Sequence, residues 1–196
     1  MVSCVRLRQV GGDENRRQAR MVLNLQQRIQ SGAYSEIFRS VDGKRAFKLF
    51  ISGAHPSNLS QGLTNPVHDL QRRNTFTAEC EAYEIAMADP RISCHVPHFY
   101  GRAEVNDILD ERGNSIATDY LLDCSYSMEY LSGTDMKLGS YAGQNYPPHI
   151  AEFLKDMEAS GIGYLLDASA FMPDDPESFR IIDFATRKIE APSHEM

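Results

Sequence analysis

The sequence predicts an α+β fold: a strand-rich N-terminal half with an antiparallel sheet and one long helix, then a small helical part. Three stretches carry that expectation. "SEIFRSVDGKRAFKLF" (35–50) holds two β-rich runs around Asp42-Gly43, a strong hairpin signal. "TFTAECEAYEIAMADP" (75–90) reads as a helix, with Thr75 or Thr77 near its cap and Pro90 after its end. In "PHIAEFLKDMEAS" (148–160), Ile150, Phe153, Leu154 and Met157 fall on one apolar helical face.

The other elements follow in chain order. Residues 1–20 are polar and read as a flexible arm, with Arg16, Arg17 and Arg20 as a solvated basic cluster. "MVLNLQQRI" (21–29) opens either a strand or a short helix. Residues 52–74 are rich in Gly, Pro, Asn and Ser and read as a long connection. "VPHFYGRAEV" and "YLLDCSYSMEYL" read as strands separated by the turn-rich "DILDERGNS". Pro147 and Pro148 start the second helix, Gly161 and Gly163 end it, and "YLLDASAF" and "FRIIDF" follow as a loop and short strands.

Composition narrows the class. The chain has 196 residues, 42% hydrophobic and 24% charged, enough for one domain or a small two-lobed one. No apolar run is long enough to span a membrane, and the N-terminus lacks the apolar core of a secretory signal. A formal charge of -7 argues against nucleic acid as a partner. Cys4, Cys80, Cys94 and Cys124 are widely spread, which suits reduced thiols in a cytosolic setting. Cys94, His95 and His98 lie close together, but Pro97 interrupts them and zinc would need a fourth ligand, so a turn is expected there.

Several stretches bear chemistry. "QSGAYSEIF" places Gly32 in a turn, where a missing side chain lets backbone N–H groups approach an anion. In "RAFKLF", period two puts Lys48 on the strand face of Ala46 and Phe50, where a buried ammonium needs an anionic partner. Glu79, Glu81 and Glu84 lie on different faces of the helix; Glu79, flanked by Ala82 and Tyr83, is preferred, with Glu81 second. "SMEYLSGTDM" and "RIIDFA" complete the set.

In this order the stretches resemble the eukaryotic-type protein kinases over about residues 28–188, a two-lobed fold with its nucleotide between the lobes. The resemblance implies that Gly32 is the surviving centre of a glycine-rich loop, with Gln30 and Ser35 at the outer glycine positions. It implies that Lys48 orients the phosphates of ATP and that Glu79 holds Lys48. "MEYL" looks like the gatekeeper and hinge. Met128 would be the gatekeeper, Glu129 and Leu131 would bond adenine through their backbones, and Asp135 would lie near the ribose. Asp183-Phe184-Ala185 is similar to the D-F-G motif, so Asp183 would bind Mg²⁺. The lobes would divide as 21–128 and 136–196 around a hinge at 129–135, within a domain of 21–196.

The catalytic loop departs from the kinase pattern. A gapless overlay on Asp183 puts Leu165 and Ala170 at the catalytic aspartate and asparagine positions. Shortening the following loop brings Asp167 into the catalytic place, and this overlay is preferred, with Ser169, Asp174 or Asp175 replacing the asparagine. The chain ends at Met196, soon after Asp183, as in the minimal effector kinases that bacterial pathogens inject by type III secretion. The resemblance is to the HopBF type first and the OspG type next. It implies a monomer that acts in the host cytoplasm and phosphorylates a serine of a host heat-shock chaperone of the ninety-kilodalton class. The rival expectations are a pseudokinase that docks partners and a small-molecule phosphotransferase of the aminoglycoside type.

Overall fold

The computed structural model describes residues 21–138, 147–172 and 178–186, without the side chains of 135–137, 164–167 and 172. The arm expected at 1–20 lies outside the described residues. Residues 21–29 contain both elements the sequence allowed, β1 (Met21–Asn24) and a single 3-10 turn, Leu25–Gln27. Asn24 caps that turn and in return donates its own N–H to the Gln27 side chain, after which β2 (Arg28–Ser31) begins. The expected hairpin forms as β3 (Ser35–Arg39) and β4 (Arg45–Ile51). Gly43 takes a φ of 72° at its tip, and the Asp42 carboxylate accepts from Ser40 Oγ and the Lys44 N–H.

The connection expected at 52–74 is mostly helical. It contains α1 (Pro56–Gln61) and the start of α2 (Pro66–Ala88), and α3 (Pro90–Ser93) follows. Each helix opens on a proline behind a capping side chain. His55, Asn65 and Asp89 accept the N–H groups of Ser57, Val67 and Arg91. Prolines and polar residues that suggested loops are therefore helix starts. Thr75 and Thr77 do not cap α2; their hydroxyls bond back to the carbonyls of Gln71 and Arg73 inside it.

β5 (Phe99–Arg102), β6 (Val105–Leu109) and β7 (Tyr120–Glu129) supply the remaining strands of this half. Five strands form an antiparallel sheet in the order β2-β3-β4-β7-β5, while β1 and β6 pair in parallel.

The small helical half is a correction. It consists of β8 (Thr134–Lys137), α4 (Pro148–Ala159), β9 (Ile162–Met172) and β10 (Arg180–Thr186). The three strands form a sheet of order β10-β9-β8, both pairings antiparallel. Short apolar runs do not separate strand from buried loop by periodicity alone. Here Ile181, Phe184 and Ala185 of β10 and Ala168 and Ala170 of β9 are buried, and strand pairing satisfies the backbone they carry inward. The overall class is α+β.

One apolar core runs from the five-stranded sheet through α2 to α4 and β10, joining Phe50, Phe76, Tyr83, Phe153 and Phe184. A second lies on the other face of that sheet, where Phe38, Leu49 and Ile51 meet Leu23 and Ile108 of the parallel pair. Phe76, 2% exposed, meets Phe50 edge-to-face at 5.9 Å and stacks on Tyr126 at 6.4 Å. Phe76→Ala should cost about 3–5 kcal/mol in urea unfolding with an unchanged m value. A loss below about 1 kcal/mol would place the main core elsewhere.

Candidate functional site

Alternation along β4 splits its side chains between the two cores. Ala46 and Phe50 join the core against α2, whereas Phe47, Leu49 and Ile51 join the other. Lys48 shares the face of Ala46 and Phe50, which sends its ammonium into the space between β4, α2 and β10. It is 5% exposed. Its Nζ lies 3.0 Å from Glu79 Oε1, 2.9 Å from Glu79 Oε2 and 3.0 Å from Asp183 Oδ1. The Tyr126 hydroxyl donates to Glu79 Oε2 at 2.7 Å. Of the three glutamates on α2, the structure thus places Glu79 on Lys48. Glu81 accepts a long bond of 3.4 Å from the Thr186 hydroxyl, and Glu84 is exposed.

Burial sets the electrostatics of this group. Desolvation opposes the charge on Lys48, but the carboxylates of Asp183 and Glu79 outweigh it and hold the ammonium above its ordinary pKa. Burial also lifts the Glu79 carboxyl, against the pull of Lys48 and Tyr126. An ammonium bridging two acids inside a protein is costly to assemble and unforgiving to break.

Asp183 reaches Lys48 through an unusual backbone. Its φ is 62°, the one positive value at a non-glycine among the described residues. The β9–β10 register breaks at the same point: Ile182 pairs with Ser169 and Phe184 with Tyr164, so Asp183 faces the irregular stretch 165–168. Phe184 is fully buried, its ring 4.4 Å from that of Tyr83. The buried Phe184 anchors the turn, and the left-handed residue beside it delivers its carboxylate to the lysine. Such backbone strain persists only where the surroundings enforce it.

These residues end an open cleft between the β2–β3 hairpin and β10. The β2–β3 hairpin forms its roof through Gln30, Gly32 and Ser35, while Phe171 and Ile182 lie across from it. The Gly32 N–H donates to the Ser35 carbonyl at 2.9 Å, and a Cβ at Gly32 would press on that oxygen at 3.2 Å.

Met128 lines the inner wall and is buried, with its Sδ accepting from the Tyr83 hydroxyl at 3.2 Å. The Glu129 N–H is committed to the His98 carbonyl at 2.8 Å, so a ligand would have to use the Glu129 carbonyl. The Tyr130 N–H bonds Lys44 and closes the ladder, leaving Leu131 outside any strand on the cleft wall.

The other site expectations fall differently. Asp135 lies in β8 opposite Phe171, and Asp167 lies in the β9 stretch that faces Asp183. Both side chains, and all of Asp174 and Asp175, lie outside the described residues. Ser169 and Ala170 are fully buried in β9. His95 stacks on Phe179 at 4.2 Å and meets Phe153 edge-on at 5.0 Å, so it serves packing. Sequence reasoning missed Tyr126. Its signal was present, since period two places it on the face of Met128.

Comparison with protein-family models, curated proteins and solved structures returned no match.

The site and its core carry a pH signature. Burial pushes the Cys80 thiol up to about 12 and the Cys124 thiol to about 11. It also lifts the Tyr83 and Tyr126 phenols well above their ordinary value. Groups whose pKa is raised on folding stabilise the protein below their unfolded pKa and lose that contribution as pH rises. The melting temperature should therefore fall progressively from about pH 8 to pH 11, read by circular dichroism. A flat or rising profile over that range would contradict these buried protonated groups.

Proposed function

We propose that the cleft binds Mg-ATP and that the protein is a serine/threonine protein kinase of minimal size. The observation that carries this reading is Lys48 bridging Glu79 and Asp183 at the inner end of a cleft roofed by the Gly32 hairpin. Lys48 orients phosphate oxygens, and Glu79, itself held by Tyr126, keeps the ammonium in place. The adenine edge meets the main chain of Glu129 and Leu131 beside Met128.

Asp183 suits a magnesium ion. It presents a carboxylate at the cleft wall, and such an ion takes most of its remaining ligands from phosphates and water. Bound there, the ion would neutralise charge on the β- and γ-phosphates. Asp167, by its backbone place across from Asp183, is assigned to the substrate hydroxyl. The hydroxyl oxygen forms a bond to the γ-phosphorus as the bond to ADP breaks, and the proton passes to Asp167. Positioning and charge stabilisation supply the rate. The sequence resemblance adds a secreted effector as the setting and a host chaperone as the substrate.

A pseudokinase is the second reading, favoured by Leu165 and Ala170 at the catalytic aspartate and asparagine positions of the gapless overlay and by the eroded glycines around Gly32. Radiolabelled ATP separates the two with wild type, Lys48→Met, Asp167→Ala and Asp183→Asn, using the protein itself and host lysate as acceptors. Transfer by wild type and by none of the variants supports the kinase. Transfer surviving in Asp167→Ala alone removes Asp167 from the mechanism. No transfer, with a melting temperature raised by Mg-ATP, favours the pseudokinase.

A further inference from the structure

The roof of the cleft is held from behind. β2 is an edge strand whose residues are all exposed, so apolar burial does not seat it. Two of its side chains converge on one oxygen of Glu36 instead. Arg28 Nη1 and Ser31 Oγ each lie 2.8 Å from Glu36 Oε1. The Tyr120 hydroxyl donates to Oε2 at 2.6 Å, and His55 Nε2 stands 3.6 Å from Oε1. Glu36 is 1% exposed. With Phe38 it occupies the face of β3 turned away from the cleft, whereas Ser35 and Ile37 line the cleft.

A regular strand would put Arg28 and Ser31 on opposite faces. The register shows why both reach Glu36. Arg28 pairs with Phe38 and Gln30 with Ile37, so Ile29 is an extra residue, a bulge. The bulge returns Ser31 to the face of Arg28 and presents both Ile29 and Gln30 to the cleft.

We propose that Glu36 is a positioning residue whose buried carboxylate locks β2 in its bulged register and so sets the roof over the ligand. An apolar side chain would complete the surrounding face of Phe38, Leu49 and Tyr120 without the cost of burying charge. What the carboxylate adds is direction. If β2 slipped by one residue, Arg28 and Ser31 would turn away and leave the acid buried with too few donors, which penalises the slip. That the roof covers a nucleotide rests on the proposed function; the lock itself does not.

Amide hydrogen exchange on the ligand-free protein tests the lock whether or not nucleotide binds. Arg28→Ala/Ser31→Ala changes only exposed positions, which keeps the variant folded. Amides of 28–34 should exchange about tenfold faster or more, with protection in α2 unchanged. Arg28→Lys should restore part of the protection, and affinity for Mg-ATP should fall about tenfold in the double variant. Unchanged exchange at 28–34, or loss of protection spread evenly over α2, overturns the lock. A wild type with normal protection but no affinity for Mg-ATP strikes the nucleotide reading instead.

Discussion

Lys48→Met should abolish phosphoryl transfer and destabilise the ligand-free protein by about 3–5 kcal/mol, the cost of breaking a buried ion pair. Both partners are well shielded, with side-chain exposures of 7% for Lys48 and 2% for Glu79, so solvent does little to soften the loss. Without the ammonium, Glu79 and Asp183 share a site with no cation between them, and Glu79 must take up a proton or be hydrated. Lys48→Met/Glu79→Gln should recover much of the stability and none of the activity, because the amide needs no counter-charge. Urea unfolding of the wild type, the single variants and the pair supplies the cycle. A Lys48→Met protein as stable as wild type would show that the ammonium is not paired inside.

Asp183→Asn should separate chemistry from backbone. Asn tolerates the left-handed φ of 62° better than most residues, and Lys48 keeps Glu79. The variant should therefore melt within a few degrees of wild type, equivalent to about 1 kcal/mol or less. Transfer should nonetheless fall by about 10² or more, as when one preorganised charge is lost from a reacting centre. Asp183→Val, β-branched at the same φ, should lose about 1–3 kcal/mol in addition. Equal melting of the Asn and Val variants would show that the backbone there is not constrained.

Sequence patterns exposed these residues unevenly. Period two in "RAFKLF" put Lys48 on the strand face of Ala46 and Phe50, and an apolar flank favoured Glu79 among the glutamates of α2, but pairing the two rested on the kinase resemblance. Residues 52–74 misled because proline and asparagine serve loops and helix starts alike, and only the cap bonds tell them apart. The three-stranded sheet was hidden for another reason. β9 and β10 are stabilised by pairing with each other and by burial under α2 and α4, neither of which a short apolar run records. The Glu36 lock was equally silent, since it depends on a bulge that shifts one strand against the next.

Under the proposed function a magnesium nucleotide binds between the Gly32 hairpin and the Lys48–Glu79–Asp183 group, and calorimetric titration of Mg-ATP into wild type and Asp183→Asn reads that binding. We predict one site per chain in the wild type, with affinity lost in Asp183→Asn although its melting temperature is kept. Wild type that takes up no Mg-ATP, or equal binding by both proteins, would contradict it.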